Sequence, residues 1–315
     1  MPRRDHQRSS PPLPPDETSP IVGGRIPMIR LLLVSLVLVT PAFAADQALR
    51  DQVETLFKQR QWPEAQALLE QAAAAAPQDA ETQGLLGQVH LTRGNAEGAV
   101  TALEKAVALD PKSSNYQRML GDAYGVSAQK AGMFSKLGLA RKCKGAYDKA
   151  VELDPKNIDA RWSVMEYCRQ APAMAGGGMD AAYAQAEEIK KIDANRGRVA
   201  LATLYMSDKK AVEAFGLFDE ALAANPDDYT ALYQLGRLSA MTGQRIDQGI
   251  ANLRRCLTMT PPVGQPGHAP VNWRIGNLLE KQGDKEGARA AYEATLAIDP
   301  NFVRAIEDLR KLNAK

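Results

Sequence analysis

Residues 81–111, ETQGLLGQVHLTRGNAEGAVTALEKAVALDP, read as two short amphipathic helices joined by a turn at Arg93-Gly94-Asn95 and stopped at Asp110-Pro111. In the first helix Leu86 and Gly87 stand side by side, with His90 one turn further on. In the second, Ala99, Leu103 and Ala106 fall on one face at spacings of four and three. Gly87, Ala99 and Ala106 are small enough to let two helix backbones approach, and Leu103 fills the space between them. Pro111 has no amide hydrogen to donate, so the second helix ends there.

The rest of the chain varies this stretch. Residues 47–77 form a worn first copy, with Ala65, Leu69 and Ala72 in the packing positions and Pro77 as the stop. A third copy opens at Tyr116 with Leu120-Gly121 and Tyr124. It runs ten residues over length, and the helical spacing of Val126, Met133, Leu137 and Ala140 predicts longer helices there. The fourth opens at Ala160, is interrupted by the loop APAMAGGGMD at 171–180, and ends at Asp193-Ala194, where the others have a proline. The fifth, sixth and seventh show Leu201-Ala202, Leu235-Gly236 and Ile275-Gly276, and a Pro/Gly-rich loop, PPVGQPGHAP, precedes the last. Residues 301–315 read as one more helix, apolar at Phe302, Ile306 and Leu309, suited to capping the array.

Seven such units in register over residues 45–300 resemble the tetratricopeptide repeat, a helix–turn–helix unit of about 34 residues. The resemblance implies an all-α, right-handed superhelical solenoid of about seven units plus a C-terminal capping helix. It also implies a concave groove, lined by the first helix of each unit, that holds a segment of another protein. The long third unit followed by AP-x-x-x-GGG is similar to an arrangement in exported bacterial repeat proteins.

Residues 28–44, MIRLLLVSLVLVTPAFA, have the marks of a secretory signal peptide cut after Ala44: Arg30, a short apolar run, then small residues around the cut. The run is shorter than the ~20 apolar residues that span a bilayer. Membrane association is therefore expected only if this segment is retained. Residues 1–27 read as disordered, or as an over-long start with Met28 as the true first residue.

The whole chain carries a net charge of +2, and without residues 1–44 the charges cancel. That balance does not point to nucleic acid. The distribution is uneven, since residues 45–110 hold five basic and ten acidic side chains while 130–149 hold six basic and one acidic. The cluster Lys130, Lys136, Arg141, Lys142 and Lys144 reads as a solvated helix face or as a patch for an anionic surface or an acidic partner.

Residues two positions either side of each Leu-Gly midpoint share a helix face turned away from the packing side. They include Gly84 and Gln88, Arg118 and Asp122, Trp162 and Glu166, Val199 and Thr203, Tyr233 and Arg237, Trp273 and Asn277; Arg169 continues the fourth stripe. Trp, Tyr and Arg are the types that anchor interfaces, and Arg118, Arg169 and Arg237 suit a carboxylate or the carbonyls of an extended peptide. The competing reading is a slip of one residue that makes Trp162 and Trp273 core.

Cys143, Cys168 and Cys256 have no metal-ligand spacing. Cys143 and Cys168 fall on adjacent antiparallel helices, so they are either a disulfide or two small buried fillers. Three His, none sharing a helix face, do not support a zinc site or a His-based triad. Gly176-Gly177-Gly178 lacks the strand and the Gly-Lys-Ser/Thr of a phosphate loop. The expectation is a non-enzymatic periplasmic scaffold of a Gram-negative bacterium without cofactor or metal, holding a protein segment in its groove. The alternative is a subunit of an envelope or secretion assembly that docks through its convex face and basic insertion.

Overall fold

The computed structural model describes residues 41–314 and contains, among them, fifteen α-helices, one 3-10 turn and no strand. The chain divides into two units, residues 1–49 and 50–315. Of the first, only the opening half of α1 (Pro41–Lys58) is described. The proposed start (1–27) and most of the export segment (28–44) therefore lie outside the described residues.

In the second unit helices pair in the expected order. After α1 come α2 (Trp62–Ala75), α3 (Ala80–Thr92), α4 (Ala96–Leu109), α5 (Ser114–Lys130), α6 (Met133–Leu153), α7 (Ile158–Gln170) and α8 (Met179–Ile192). They are followed by α9 (Ala194–Ser207), α10 (Ala211–Ala224), α11 (Tyr229–Thr242), α12 (Ile246–Leu257), α13 (His268–Gln282), α14 (Lys285–Ile298) and α15 (Val303–Asn313). Each packs mainly on its neighbours in sequence, which is the organisation of a solenoid. The over-length third unit is taken up by helix, with 17 residues in α5 and 21 in α6 against 13 or 14 in α3, α4 and α7.

The stops work through the residue before the proline. Asp110, Asp154 and Asp299 each end a helix and accept the amide two residues on, at 2.9–3.1 Å, and Asn225 does the same at 3.1 Å. Asp193 has no following proline and serves twice. It ends α8 and its carboxylate caps α9 through the amides of Asn195 and Arg196 at 2.9 Å. With no spacer between them, α8 and α9 meet backbone to backbone, and a Cβ at Gly197 would collide with the Lys190 main chain.

Helix pairs close over the glycines picked out by the sequence. A Cβ at Gly87 would strike Leu103, one at Gly121 Tyr147, one at Gly236 Leu253 and one at Gly276 Tyr292, all well inside contact distance. Leu103, Leu253 and Tyr292 are fully buried, Tyr147 nearly so. Burying a Leu side chain contributes roughly 1.5–3 kcal/mol, so in these four units one large residue set into one missing Cβ holds the hairpin shut.

Candidate functional site

The first helices of the middle units bound two neighbouring hollows. One, of about 460 Å³, lies among Arg118 on α5, Asp159, Trp162 and Ser163 on α7, Asn195, Arg196 and Val199 on α9, and Thr230 and Gln234 on α11. Gly264, Gln265 and Pro266 of the loop between α12 and α13 form its outer wall. That loop is tied down by Tyr229, whose hydroxyl donates to the Pro266 carbonyl at 2.6 Å. The second hollow, of about 520 Å³, lies between α5, the long α6 and α7, with Gly125, Ala128, Ala140, Tyr147 and Tyr167 giving apolar wall and Asp122, Lys136 and Glu166 giving charge. Trp162 and Ser163 belong to both, so the two hollows meet at them.

Arg118 and Asp122 form an ion pair one turn apart on α5, Nη1 to Oδ2 at 2.7 Å, and the Tyr147 hydroxyl donates to the other Asp122 oxygen at 2.7 Å. Burial raises the Asp122 carboxyl above its ordinary value, against the lowering pull of Tyr147 and Arg118. Arg118 Nε is enclosed and has no acceptor. An enclosed N–H without a partner is costly. Glu166 and Arg169 are paired with each other: Arg169 Nε donates to Oε2 at 2.9 Å, a second guanidinium nitrogen reaches Oε1, and these bonds hold the Glu166 carboxyl below its usual range.

Trp162 is half-buried, packing its base on the core while lining both hollows, so the two readings of this residue each describe part of it. Four other expected groove residues are placed differently. Tyr233 is buried, and its hydroxyl accepts from Arg274 Nε at 2.8 Å. The reason is that α11 is enclosed all round, from Tyr229 through Gly236. Arg237 beside it is half-buried, its guanidinium donating to Gln234 at 3.1 Å, and burial then Arg274 pull its pKa down. Trp273 is held by the capping helix: its indole N–H donates to Asp308 at 2.9 Å and its ring lies 5.8 Å from that of Phe302. Asn277 donates to the Tyr292 hydroxyl at 2.9 Å and faces the same Asp308. In the second unit, the ring of Tyr116 covers Gly84. The sequence reading also missed Asp159, Arg196 and Thr230, which extend the same stripes three residues towards the N-terminus and were legible by helical spacing.

The basic cluster does not form one patch. Lys136 lines the hollow at Trp162, Lys142 lies 5.2 Å over the Tyr124 ring on another side of α6, Lys130 donates to the Gly94 carbonyl, and Lys144 pairs with Asp148 at 2.7 Å. Cys143 and Cys168 are not bonded; both are free and buried in one apolar cluster. Burial pushes the Cys143 thiol up to about 11 and that of Cys256 to about 12, so both stay protonated. Among the described residues no group of three His, Cys, Asp or Glu side chains is placed to hold a metal, and no helix is long and apolar enough to cross a membrane.

His90 occupies the position of the packing tyrosines. It is buried, and the Asn95 side-chain amide lies 3.2 Å from Nδ1 while Asn95 Oδ1 caps α4 through Gly98 N. Desolvation lowers its pKa below 6.5, with Glu70 opposing and Arg93 reinforcing. The unfolded chain therefore takes the proton first, so His90's contribution is fully present above about pH 6.5 and is lost as pH falls below it. Melting temperatures measured on either side of that value should diverge more for the natural chain than for His90→Gln; equal slopes would show that the imidazole is not held neutral.

Family models of the tetratricopeptide repeat match residues 50–114 and 269–302. It is a tetratricopeptide repeat protein. Over 47 residues the repeats are 53% identical to cellulose synthase operon protein C of Escherichia coli K12, a match covering 15% of this chain and 4% of that one. The chain thus spans a small fraction of the length of its curated relatives. A tetratricopeptide repeat protein from Parabacteroides merdae superposes with a TM-score of 0.54 at 17% identity, over 85% of this chain and 98% of the other. Yeast Tom70 superposes with a TM-score of 0.60 at 16% identity, over 80% and 51%. These structural likenesses bear on the fold.

Proposed function

We propose that this repeat protein is a non-enzymatic scaffold in the periplasm of a Gram-negative bacterium, where it holds an extended segment of another protein along α5, α7 and α9. The leader at 28–44 would be removed after Ala44, leaving the solenoid at 45–300 and the cap at 301–315. One observation carries the reading: two hollows meet at Trp162, and the Arg118 guanidinium lines the first of them. Trp162 supplies an apolar platform of the kind that anchors interfaces. The Arg118 guanidinium in the wall of that hollow supplies N–H donors for a main-chain carbonyl. The amides of Asn195, Gln234 and Gln265 around the same hollow suit the alternating donors and acceptors of a backbone. Arg169 and Glu166 neutralise each other at the far end, which favours an uncharged stretch of partner over an acidic one.

The fold supports an interaction role in general, and the likeness to a protein of a cellulose synthase operon agrees with an envelope setting. Capture runs through the middle units in this reading, because Tyr233, Trp273 and Asn277 are engaged by the chain itself. A photo-reactive residue at Ser163 tests it by marking whatever occupies the hollows.

A further inference from the structure

Most polar side chains walling the second hollow are bonded within the chain. Asp122 accepts from Arg118 on one oxygen and from Tyr147 on the other. Glu166 accepts from Arg169 and Gln170, and the Tyr167 hydroxyl lies within hydrogen-bond reach of the Ala140 and Ala175 carbonyls at 3.0 and 2.7 Å. The Cys143 thiol stays protonated. Gln129 and Lys136 are exposed, and Ser163 stands where the hollow meets the first. The interior is left with Gly125, Ala128 and Ala140 and the Tyr147 and Tyr167 rings. A polar group entering there would lose its water and find little to replace it, whereas apolar surface gains by leaving water.

Two glycines one turn apart on α5 show that helix packing does not force this room. A Cβ at Gly121 would lie 2.4 Å from the Tyr147 ring, so the hairpin needs that glycine in order to close. A Cβ at Gly125 would lie 3.5 Å from Cys143 Sγ, an ordinary contact, and would meet nothing else on α6 or α7. Gly inside a helix is less stable than Ala. Packing does not ask for it at 125, and what it leaves is space in the wall of the hollow. The charges there are nearly balanced. Asp122 and Glu166 are each paired with an arginine, and Lys136 is the one charged residue of this wall without an ion pair among the described residues.

We infer that the second hollow takes one bulky apolar side chain of the partner segment, with an acidic residue beside it facing Lys136. This rests on the partner track proposed above and names what the track selects. A hollow of about 520 Å³ leaves room for the largest apolar side chains. It meets the first at Trp162 and Ser163, so a side chain can enter it while the main chain continues towards α9. Asn195, Gln234 and Gln265 suit the first hollow to main chain, and the bonded, apolar interior suits the second to an anchor. The unpaired cation accepts a carboxylate next to that anchor and repels a Lys or Arg there.

The test selects phage-displayed random heptapeptides on the full chain and measures the affinity of the selected peptides for it and for Gly125→Leu, Gly125→Ala and Lys136→Glu. Selected sequences should share one Phe, Trp, Leu or Met with Asp or Glu within two residues of it. Replacing that apolar residue by Ser, which changes nothing in the protein, should weaken binding about tenfold or more, and so should filling the hollow with Gly125→Leu. Lys136→Glu should weaken it about threefold. Gly125→Ala should melt no lower than the natural chain. Selected peptides that share no apolar position, or that bind Gly125→Leu as tightly as the natural chain, overturn the inference. If such peptides still depend on Trp162, the partner track stands without this anchor. Failure to select any peptide also overturns it, and joined to the absence of an adduct at position 163 it removes the track as well. A small apolar molecule that co-purifies with the natural chain and is expelled by Gly125→Leu is the remaining contrary result.

Discussion

Tyr292→Ala is expected to cost about 3–5 kcal/mol and to unfold the end of the solenoid before the middle. Tyr292 is fully buried, and its ring occupies the space left by the missing Cβ of Gly276. Its hydroxyl accepts from Asn277 at 2.9 Å and donates to Glu280 at 3.1 Å, so truncation leaves a cavity and strips two polar groups of a partner. The same Asn277 helps hold Asp308 of α15, so the cap loosens with it. In a solenoid each unit is held by its neighbours, which confines the damage to the near end. Hydrogen exchange should show lost protection in α13, α14 and α15 with α3 to α6 largely unchanged. A uniform loss along the chain, or none, would show that the last unit does not rest on this side chain.

The second large effect separates two tryptophans that look alike in the sequence. Trp162→Ala is expected to weaken partner capture by about thirtyfold, roughly 2 kcal/mol, with a small change in melting temperature. Trp162 opens onto both hollows, so its loss removes platform while its neighbours on the core stay packed. Trp273→Ala should do the opposite. It breaks the bond to Asp308, the ring contact with Phe302 and the stacking of Arg274 and Arg304, so the cap detaches while capture is retained. Affinity for a partner segment marked at position 163, measured beside thermal melts of both variants, decides between them. Loss of capture in both, or in Trp273→Ala alone, would move the binding surface to the last unit.

The repeat was readable because its signals are local. Gly87 with Leu103, Gly236 with Leu253 and the Asp-Pro stops all act within one hairpin, where helical spacing alone fixes which side chains meet. The same locality put Trp162 and Arg118 on one side of their helices, and both line the first hollow. Tyr233 was misplaced because its burial depends on Arg274, forty-one residues on, and on enclosure of α11 that no spacing within that helix reveals. Trp273 depends on Asp308, thirty-five residues on. Of the two readings of the basic cluster, the single patch rested on charge counted along the sequence, while successive residues of α6 turn by ~100° and send Lys136 and Lys142 to different sides. The cysteines followed the simpler of their two readings, since both thiols are enclosed by apolar neighbours and free.

The most direct measurement places a photo-reactive amino acid at Ser163, between the two hollows, and at Val212, exposed on α10 away from them, and compares the adducts formed in the cell envelope. The account predicts a discrete adduct from position 163 that disappears when Trp162 is replaced by Ala, and none from position 212. Adducts from position 212 alone, or adducts from 163 that persist without Trp162, would contradict capture along α5, α7 and α9.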